Sequence, residues 1–497
     1  MGALSSPWRL LVRVAHLDNR LSGLPKKTSM QIETGLFPGH VLQRKKGGAR
    51  VAITGTCAEY GIVYATVKSA EGTLKKFAHV AIGRGKQRRF NAELKGLPTG
   101  GPYVLTLTCG KETLEIPDIF VGDLWLMAGQ SNMEGCALMK SVPEPHPLVR
   151  NFTMARRWEI AREPLHLRPE SPDPVHEGKS LSRQQSLELR RKTTKGMSVG
   201  LHLGRLLHEQ TGVPQGFICT AHGGTSMAQW DPAKKARGGE SLYGSMWLSL
   251  QAVGQPLAGV LWAQGESEAL PESAEVYTPV MKRFVAAFRR DLKQPRLPWL
   301  FIQMGRIIKG SPALTGLWPD PDSWNSVQDQ QRLLARNIPQ SALVPTVDLE
   351  LDDIAHIGWD AFPLQAQRMA EVLGHLVHRR KGAKPGLDFK AARFLAGPVR
   401  QSNFIEVRFS NVVGKISSAG PVRGFVLLDA QGVPRPGIFR VELKRDKALL
   451  HLNHDFIPTG LRLRYGHGLD PICTLVDARG MAVPAFGPVE IESVPVI

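Results

Sequence analysis

Cysteine is scarce in this chain, and the few present show no metal-ligand or disulfide pattern. There are five among 497 residues, an odd number with no C-x-x-C pair. A chain of this length does not depend on a disulfide framework, so we expect none. The cysteines are Cys57, Cys109, Cys136, Cys219 and Cys473.

Long apolar runs are also missing. No stretch of about 18 or more uncharged apolar residues occurs, which excludes a helix that spans a bilayer. The segment Trp8–Val14 is only weakly apolar, contains two arginines and precedes no A-x-A-type cleavage site, so it makes a poor signal peptide. These features favour a cytoplasmic protein. A start codon further upstream would instead allow a periplasmic or secreted one.

Acidic residues are fewer than basic residues. The chain has 44 Asp and Glu against 63 Lys and Arg, a net charge of +19, which raises nucleic acid or an anionic substrate as a partner. The basic clusters are short, however, and no zinc-finger or RNA-binding signature accompanies them. We therefore expect no nucleic-acid partner. The clusters are interpreted as solvated surface, with a basic rim that attracts an anionic substrate as the alternative.

The remaining composition is that of a folded protein, and its apolar pattern changes along the chain. Hydrophobic residues make up 42% and charged residues 22%, which excludes disordered and coiled-coil chains. Residues 1–30 look like a loose leader. Short Val-, Ile- and Thr-rich runs in 31–118 and again in 385–497 predict an N-terminal and a C-terminal β-sandwich domain. Between them, 119–384 alternates strand-like and helix-length runs, which predicts an α/β domain with a mostly parallel sheet.

Polar, glycine-rich segments follow four predicted strands of the α/β domain. Because ligands bind beyond the carboxyl ends of parallel strands, we expect these segments to share one edge of the sheet. Leu124–Ala128 precedes Gly129–Gly135 (GQSNMEG), Gly216–Thr220 precedes Ala221–Met227 (AHGGTSM), Ala258–Ala263 precedes Gln264–Ser267 (QGES), and Leu343–Leu349 precedes Glu350–His356 (ELDDIAH).

A hydroxyl and an imidazole in these segments suggest nucleophilic catalysis. Ser131 follows a strand and lies among glycines that let a substrate approach, although an N-cap serine would look the same. A serine nucleophile needs an imidazole to accept its proton and an acid to orient that imidazole. His356 is the candidate base, with an ordinary surface loop as the alternative. Asp353 could reach its ring, and Asp352 is left open.

Two amide groups and one carboxylate are candidate supporting parts. The backbone N–H of Gly224 and the side-chain amide of Gln264 could donate to an oxyanion, although Gly223-Gly224 could also be a plain turn. An ionised Glu266 cannot stabilise an oxyanion, so we expect it to orient the loop or bind a substrate hydroxyl. No metal-ligand spacing, P-loop or dinucleotide fingerprint is present. The sequence therefore predicts neither a metal nor a cofactor.

Taken together, these blocks resemble the SGNH hydrolases, and more narrowly the sialate O-acetylesterase family of carbohydrate esterases. The resemblance implies an SGNH-hydrolase-like parallel sheet between two β-sandwich domains, and it covers about residues 30–490. The segment Glu144–Lys195 matches nothing in it. The blocks are Gly129–Met133, Gly223–Thr225 with Trp230, Trp262–Glu266 and Asp353–His356, with Gly35–Phe37 and Arg464–Gly466 in the flanking regions.

The family implies a serine esterase that removes O-acetyl groups from carbohydrates through an acetyl-enzyme. Many members carry a proline after the base where this chain has Ile357, which keeps the choice between Asp352 and Asp353 open. The residues implied are Ser131, His356 and Asp353 as the triad, Ser131, Gly224 and Gln264 as the oxyanion hole, and Asn132, Glu266 and Trp230 as substrate contacts.

The partner implied is an O-acetylated carbohydrate. An esterase for other acetylated glycans, such as xylan, is the first alternative. A non-catalytic carbohydrate-binding protein on the same scaffold is the second. The sequence indicates neither the oligomeric state nor which sugar hydroxyl carries the acetyl group.

Overall fold

The computed structural model describes residues 30–308, 319–396, 403–453 and 456–493. Most of the expected leader therefore lies outside the described residues. The chain divides into two compact units. The division into three domains at 118 and 384 stays a prediction. The first unit comprises Met1–Pro38, Arg50–Leu97 and Gly101–Ile119, and the second Gly39–Ala49, Pro98–Gly100 and Phe120–Ile497.

The first unit contains an antiparallel sheet whose strands alternate buried and half-buried side chains. This period of two comes from the pleat and gives the sheet one apolar face. The β texture predicted for this region is confirmed, whereas its sandwich arrangement stays a prediction. The strands are Gln31–Thr34, Gly48–Thr56, Gly61–Ser69, Gly72–Thr73, Val80–Lys86, Arg89–Pro98, Gly100–Cys109 and the first part of Glu112–Gly129.

The second unit is built on a parallel sheet of six strands, with one short antiparallel strand at its edge. The carboxyl ends of neighbouring parallel strands lie side by side, as Ala263 does beside Gly129. The predicted parallel sheet is therefore confirmed. In spatial order the strands are Trp158–Ile160, Val149–Phe152, Gln215–Cys219, Glu112–Gly129, Gly259–Ala263, Trp299–Ile302 and Ser341–Val344.

The central strand of this sheet is buried on both faces. Trp125 and Met127 belong to one apolar core, and Leu124 and Leu126 to the other. Strands covered on both sides read as continuous apolar runs, which explains the sequence DLWLMA at this point. The core thus holds rigid the strand end from which Ser131 emerges.

Helices connect the parallel strands, as doubly wound sheets require. The alternation of strands and helices predicted for 119–384 is confirmed. Helix Leu242–Val253 was not predicted, because it is apolar on nearly all sides and shows no clear apolar period. The α-helices are Ser131–Glu134, Arg183–Lys192, Gly200–Thr211, Leu242–Val253, Pro271–Asp291, Pro321–Asn337 and Phe362–Leu376.

The C-terminal part adds two sheets that are antiparallel except for the parallel edge strand Glu492–Ser493, and their apolar residues join one of the two cores. Their pairing as a sandwich stays a prediction. One sheet contains Ile438–Leu443, Lys447–Leu452, Phe404–Ser410, Asp388–Leu395 and Glu492–Ser493, and the other Pro434–Arg435, Phe425–Leu428, Arg462–Tyr465 and Phe486–Glu490.

The shape of one predicted strand differs from the structure. The run Leu343–Leu349 is extended only as far as Val344, because Pro345 has no N–H to donate to the sheet. The residues that follow form a loop that brings His356 back over the sheet edge. In the part of the chain described here, no helix is long and apolar enough to cross a membrane.

Candidate active site

The segments after three neighbouring strands are joined by backbone hydrogen bonds. The N–H of Gln130 donates to the carbonyl of Ala263 at 2.7 Å, and the N–H of His222 donates to the carbonyl of Gly129 at 2.9 Å. Gly129 has φ +123°, and a Cβ there would lie 2.0 Å from the Ala263 carbonyl oxygen. Only glycine permits this close approach.

Ser131 opens a short helix, Ser131–Glu134, directly against the glycine pair of the next segment. A Cβ on Gly223 would lie 3.3 Å from the Cβ of Ser131. Gly224 is exposed, has φ +69° and has open space beside it. The structure therefore brings the predicted nucleophile and the predicted oxyanion loop together, with room for a ligand next to Gly224.

His356 lies against Asp353. Its Nδ1 is 2.8 Å from Oδ2 and 2.9 Å from Oδ1 of that carboxylate. Asp352 faces elsewhere, because its Oδ2 accepts the backbone N–H groups of Leu138 at 2.7 Å and Trp359 at 3.1 Å. The sequence left the choice between Asp352 and Asp353 open, and in the structure it is Asp353 that contacts the imidazole.

Asn132 links the Ser131 turn to the His356 loop. Its Oδ1 accepts the N–H of Ile357 at 3.1 Å, and its Nδ2 donates to Glu266 Oε1 at 2.8 Å and to the carbonyl of Ala355 at 3.4 Å. Asn132 is thus a bridge between three segments. The other oxygen of Glu266 is buried, with no hydrogen-bond partner among the described residues.

The charges around His356 favour its protonated form. Burial lowers the pKa of His356, but the Asp353 carboxylate and the Cys136 thiol outweigh burial and raise it to about 10. Burial opposes ionisation of Asp353 as well. Hydrogen bonds from His356 and Lys195 nevertheless hold the pKa of Asp353 well below its usual value. Lys195 Nζ lies 2.5 Å from Asp353 Oδ2.

Gln264 does not fit its expected role as an oxyanion donor. Its Nε2 donates to Glu268 Oε2 at 2.5 Å and to the carbonyl of Thr225 at 3.2 Å. A primary amide has two hydrogens, so both are occupied within the protein. The arrangement instead makes Gln264 an anchor between the segment that contains it and the Gly223-Gly224 segment.

Trp230 likewise does not fit its expected role as a substrate contact. Its side chain is fully buried, its Nε1 donates to Thr225 Oγ1 at 3.0 Å, and its ring packs edge-on against Trp262 at 5.5 Å. A buried ring cannot reach a ligand at the surface. Trp230 is part of the core beneath the site.

Three charged residues at the site were not found by sequence reasoning. Glu134 accepts the N–H of Gly223 at 2.5 Å and pairs with Arg168 at 3.1 Å, while Lys195 pairs with Asp353. Glu134 stands in the GQSNMEG block and could have been suspected there. Arg168 and Lys195 lie in the unrecognised stretch Glu144–Lys195, where no signal identifies them. Among the described residues, no group of His, Cys, Asp and Glu is arranged to hold a metal ion.

The fold is an α/β fold with a parallel central sheet, and comparison with known proteins gives the family. Residues 121–374 match the family of carbohydrate esterases described as sialic acid-specific acetylesterases. The chain belongs to this family of carboxylic-ester hydrolases.

Individual relatives are distant. Human sialate O-acetylesterase is 27% identical over 253 residues, which are 46% of this chain and 47% of the human protein. A probable carbohydrate esterase from Arabidopsis thaliana is 26% identical over 236 residues, 43% of this chain and 82% of that protein. The chain thus spans about half the length of the sialate O-acetylesterases that it matches.

One solved structure resembles the whole fold. A carbohydrate acetylesterase from Xanthomonas citri has a TM-score of 0.66 and 20% identity, and the match covers 92% of this chain and 99% of that one. At this identity the likeness shows the fold alone: a large central sheet with additional β-sheet regions.

Proposed function

We propose that this protein is a serine esterase that removes O-acetyl groups from carbohydrates. The observation that carries the proposal is the Asp353–His356 pair, which Asn132 ties to the turn that begins with Ser131. A hydroxyl, an imidazole and an acid in this order are the groups that acyl transfer requires. Membership of a carbohydrate esterase family supports the ester class.

In the proposed reaction, Ser131 Oγ attacks the acetyl carbonyl carbon while His356 Nε2 takes the hydroxyl proton. The carbonyl oxygen becomes an oxyanion that accepts hydrogen bonds from the N–H groups of Ser131 and Gly224. Collapse of this intermediate breaks the bond to the sugar oxygen, which receives the proton from His356. Water then attacks the acetyl-enzyme with His356 as base again, and acetate leaves.

The proposed substrate is an O-acetylated sialate. The family description and the human relative's name support this choice, and the net charge of +19 favours an acidic sugar. Glu266 is proposed to bind a sugar hydroxyl, because one of its oxygens is buried without a protein partner. Esterases for acetylated xylan and a purely sugar-binding role have no such support.

The experiment that tests the activity compares Ser131→Ala with the wild-type protein on 4-nitrophenyl acetate. We expect kcat to fall by about 10³-fold or more, with unchanged thermal unfolding. Ser226→Ala is the matched control, since the Ser226 hydroxyl faces Gln229 and, among the described residues, makes no other hydrogen bond. Full turnover by Ser131→Ala would contradict the proposal.

The substrate is tested separately by acetate release from a panel of acetylated sugars. The panel contains O-acetylated sialates, acetylated xylan fragments and acetylated neutral monosaccharides. We expect the highest kcat/KM for a sialate. A preference for xylan fragments would keep the esterase activity and replace the substrate, whereas sugar binding without acetate release would support the non-catalytic alternative.

A further inference from the structure

A chain of hydrogen bonds runs from the candidate active site into the unrecognised stretch Glu144–Lys195. Arg168 Nη1 lies 2.8 Å from His222 Nε2, His222 Nδ1 lies 3.0 Å from His176 Nδ1, and His176 Nε2 lies 3.0 Å from Ser245 Oγ. Ser245 Oγ in turn donates to Asp173 Oδ2 at 2.5 Å. These five residues are called the relay below.

The direction of each hydrogen bond in the relay is fixed by its ends. A guanidinium only donates and a carboxylate only accepts. Arg168 therefore needs a bare Nε2 on His222, which leaves the proton of that ring on Nδ1. His176 must then accept at Nδ1 and donate from Nε2 to Ser245, whose hydroxyl donates to Asp173. A second proton on either imidazole would set two N–H groups against each other.

The surroundings keep both imidazoles neutral. Burial, reinforced by the facing His222, lowers the pKa of His176 to about 3, and burial together with Arg168 lowers that of His222 to about 4. Arg156, which pairs with Asp173 at 2.5 Å, and His166 also act on His176 in this direction.

The near end of the relay reaches the oxyanion loop. Arg168 Nε pairs with Glu134 Oε1 at 3.1 Å, and Glu134 Oε2 accepts the N–H of Gly223 at 2.5 Å. His222 also precedes Gly223 directly in the chain. The loop is thus held from both sides: by the Glu134 carboxylate and by the His222 ring. A Cβ on Gly224 would have no heavy atom within 4 Å. We therefore infer that the contacts of its neighbours in the loop hold Gly224 in position.

We propose that the relay is a positioning device for the Gly223-Gly224 loop, with Arg168, His222 and His176 as positioning residues for the reaction. The inference rests on the proposed function, because the loop matters through the oxyanion it would bind. It gives the stretch around 165–176 a role: that stretch supplies the arginine, one histidine and the terminal aspartate. None of these residues touches the substrate in this proposal.

The first test does not depend on activity. Histidine labelled with ¹⁵N reports the tautomer of each imidazole through its nitrogen chemical shifts. We expect the Nδ1–H form for His222 and the Nε2–H form for His176 in the full-length protein at pH 7, with assignments from His222→Gln and His176→Phe. The opposite tautomers, or a charged imidazole at either position, would overturn the relay.

The second test separates kcat from KM on 4-nitrophenyl acetate. His176→Phe keeps an aromatic ring and removes both hydrogen bonds, so we expect kcat to fall about tenfold or more, as for a weakened oxyanion donor, with KM within about twofold. His176→Asn retains an acceptor toward His222 and should recover part of kcat. The control His40→Phe changes another buried histidine, one that packs on Trp158, and should leave kcat unchanged.

An unchanged kcat in a folded His176→Phe protein, or a loss confined to KM, would overturn the proposal. If that variant does not fold, Ser245→Ala and Ser245→Thr take its place, with a lower kcat expected for the alanine only. Wild-type protein without esterase turnover would instead contradict the proposed function, and the tautomer measurement would still decide the relay.

Discussion

The carboxylate of Asp353 contacts both the ring and the backbone of His356: Oδ2 lies 2.8 Å from the ring nitrogen Nδ1, and Oδ1 accepts the backbone N–H of the same residue at 2.9 Å. Oδ1 also accepts the N–H of Ala355 at 3.0 Å. The four-residue turn 353–356 is thereby closed by the Asp353 side chain. The turn fixes the ring before any substrate is present.

The first prediction concerns the two neighbouring aspartates. Asp353→Asn should lower kcat on 4-nitrophenyl acetate by about 10²–10⁴-fold, because an amide no longer stabilises the imidazolium or its tautomer. Asp352→Asn is the matched control. It weakens contacts to Leu138 and Trp359, so we expect a lower Tm and less than a tenfold change in kcat. The reverse ranking would make Asp352 the acid of the triad.

The second prediction concerns the pH dependence of the rate. A general base must be neutral, and the pKa of His356 is raised to about 10, so kcat/KM should rise with pH from 6.5 toward 10. Cys136→Ala removes a group that raises this pKa and should move the profile to lower pH. Lys195→Gln removes a nearby cation and should move it to higher pH. Identical profiles for all three proteins would contradict this account of the site.

The third prediction concerns stability against pH. The pKa of His356 is higher in the folded protein than its ordinary value of 6.5, so its contribution is complete below pH 6.5 and is lost as the pH rises toward 10. Asp353 has the opposite sign: its lowered pKa stabilises the fold above about pH 4, and this is lost in acid.

Thermal unfolding from pH 3 to 10 checks both signs. The difference in Tm between the wild type and His356→Gln should shrink as the pH rises above 6.5. The difference between the wild type and Asp353→Asn should shrink as the pH falls below 4. Differences that stay constant with pH would indicate that neither group has a shifted pKa.

The fourth prediction separates packing from substrate contact at Trp230. Because the ring is fully buried, Trp230→Ala should lower the free energy of unfolding by about 3–5 kcal/mol. Trp230→Phe keeps most of the packing, so it should retain KM for an acetylated sugar within about twofold. Chemical denaturation and acetate release measure the two. A stable Phe variant with a strongly raised KM would restore Trp230 as a substrate contact.

Much of the central fold was predictable from the sequence. The apolar run Leu124–Ala128 predicted a strand, and apolar residues at helical spacing predicted the helix that the structure has at Phe362–Leu376. Helix Leu242–Val253 escaped notice because it is apolar on nearly all sides, so it shows no period. Propensity and pattern report local structure, and this helix owes its form to burial on several faces.

The candidate site divides in the same way. Ser131 and His356 were identified because each lies in a polar segment that follows a predicted strand, and Asp353 because it lies three residues before His356. The carboxyl ends of parallel strands lie at one edge of the sheet, so these residues were expected to be close together. Gln264 was expected to donate to the oxyanion, and Trp230 to contact the substrate. Their actual partners, Glu268 and Thr225, could not be inferred, since a side chain's direction depends on what already fills the space around it.

The amino-acid sequence by itself determined the parallel sheet, the strand ends that carry the hydroxyl, the imidazole and the acid, and the family. Only the tertiary structure decided that Asp353 rather than Asp352 faces the ring, and that Arg168, His176 and Lys195 lie around the site. The reason is physical. Periodicity and turn chemistry act between near neighbours in the chain, whereas charge pairing and hydrogen-bond direction act between groups that meet only when distant segments have packed together.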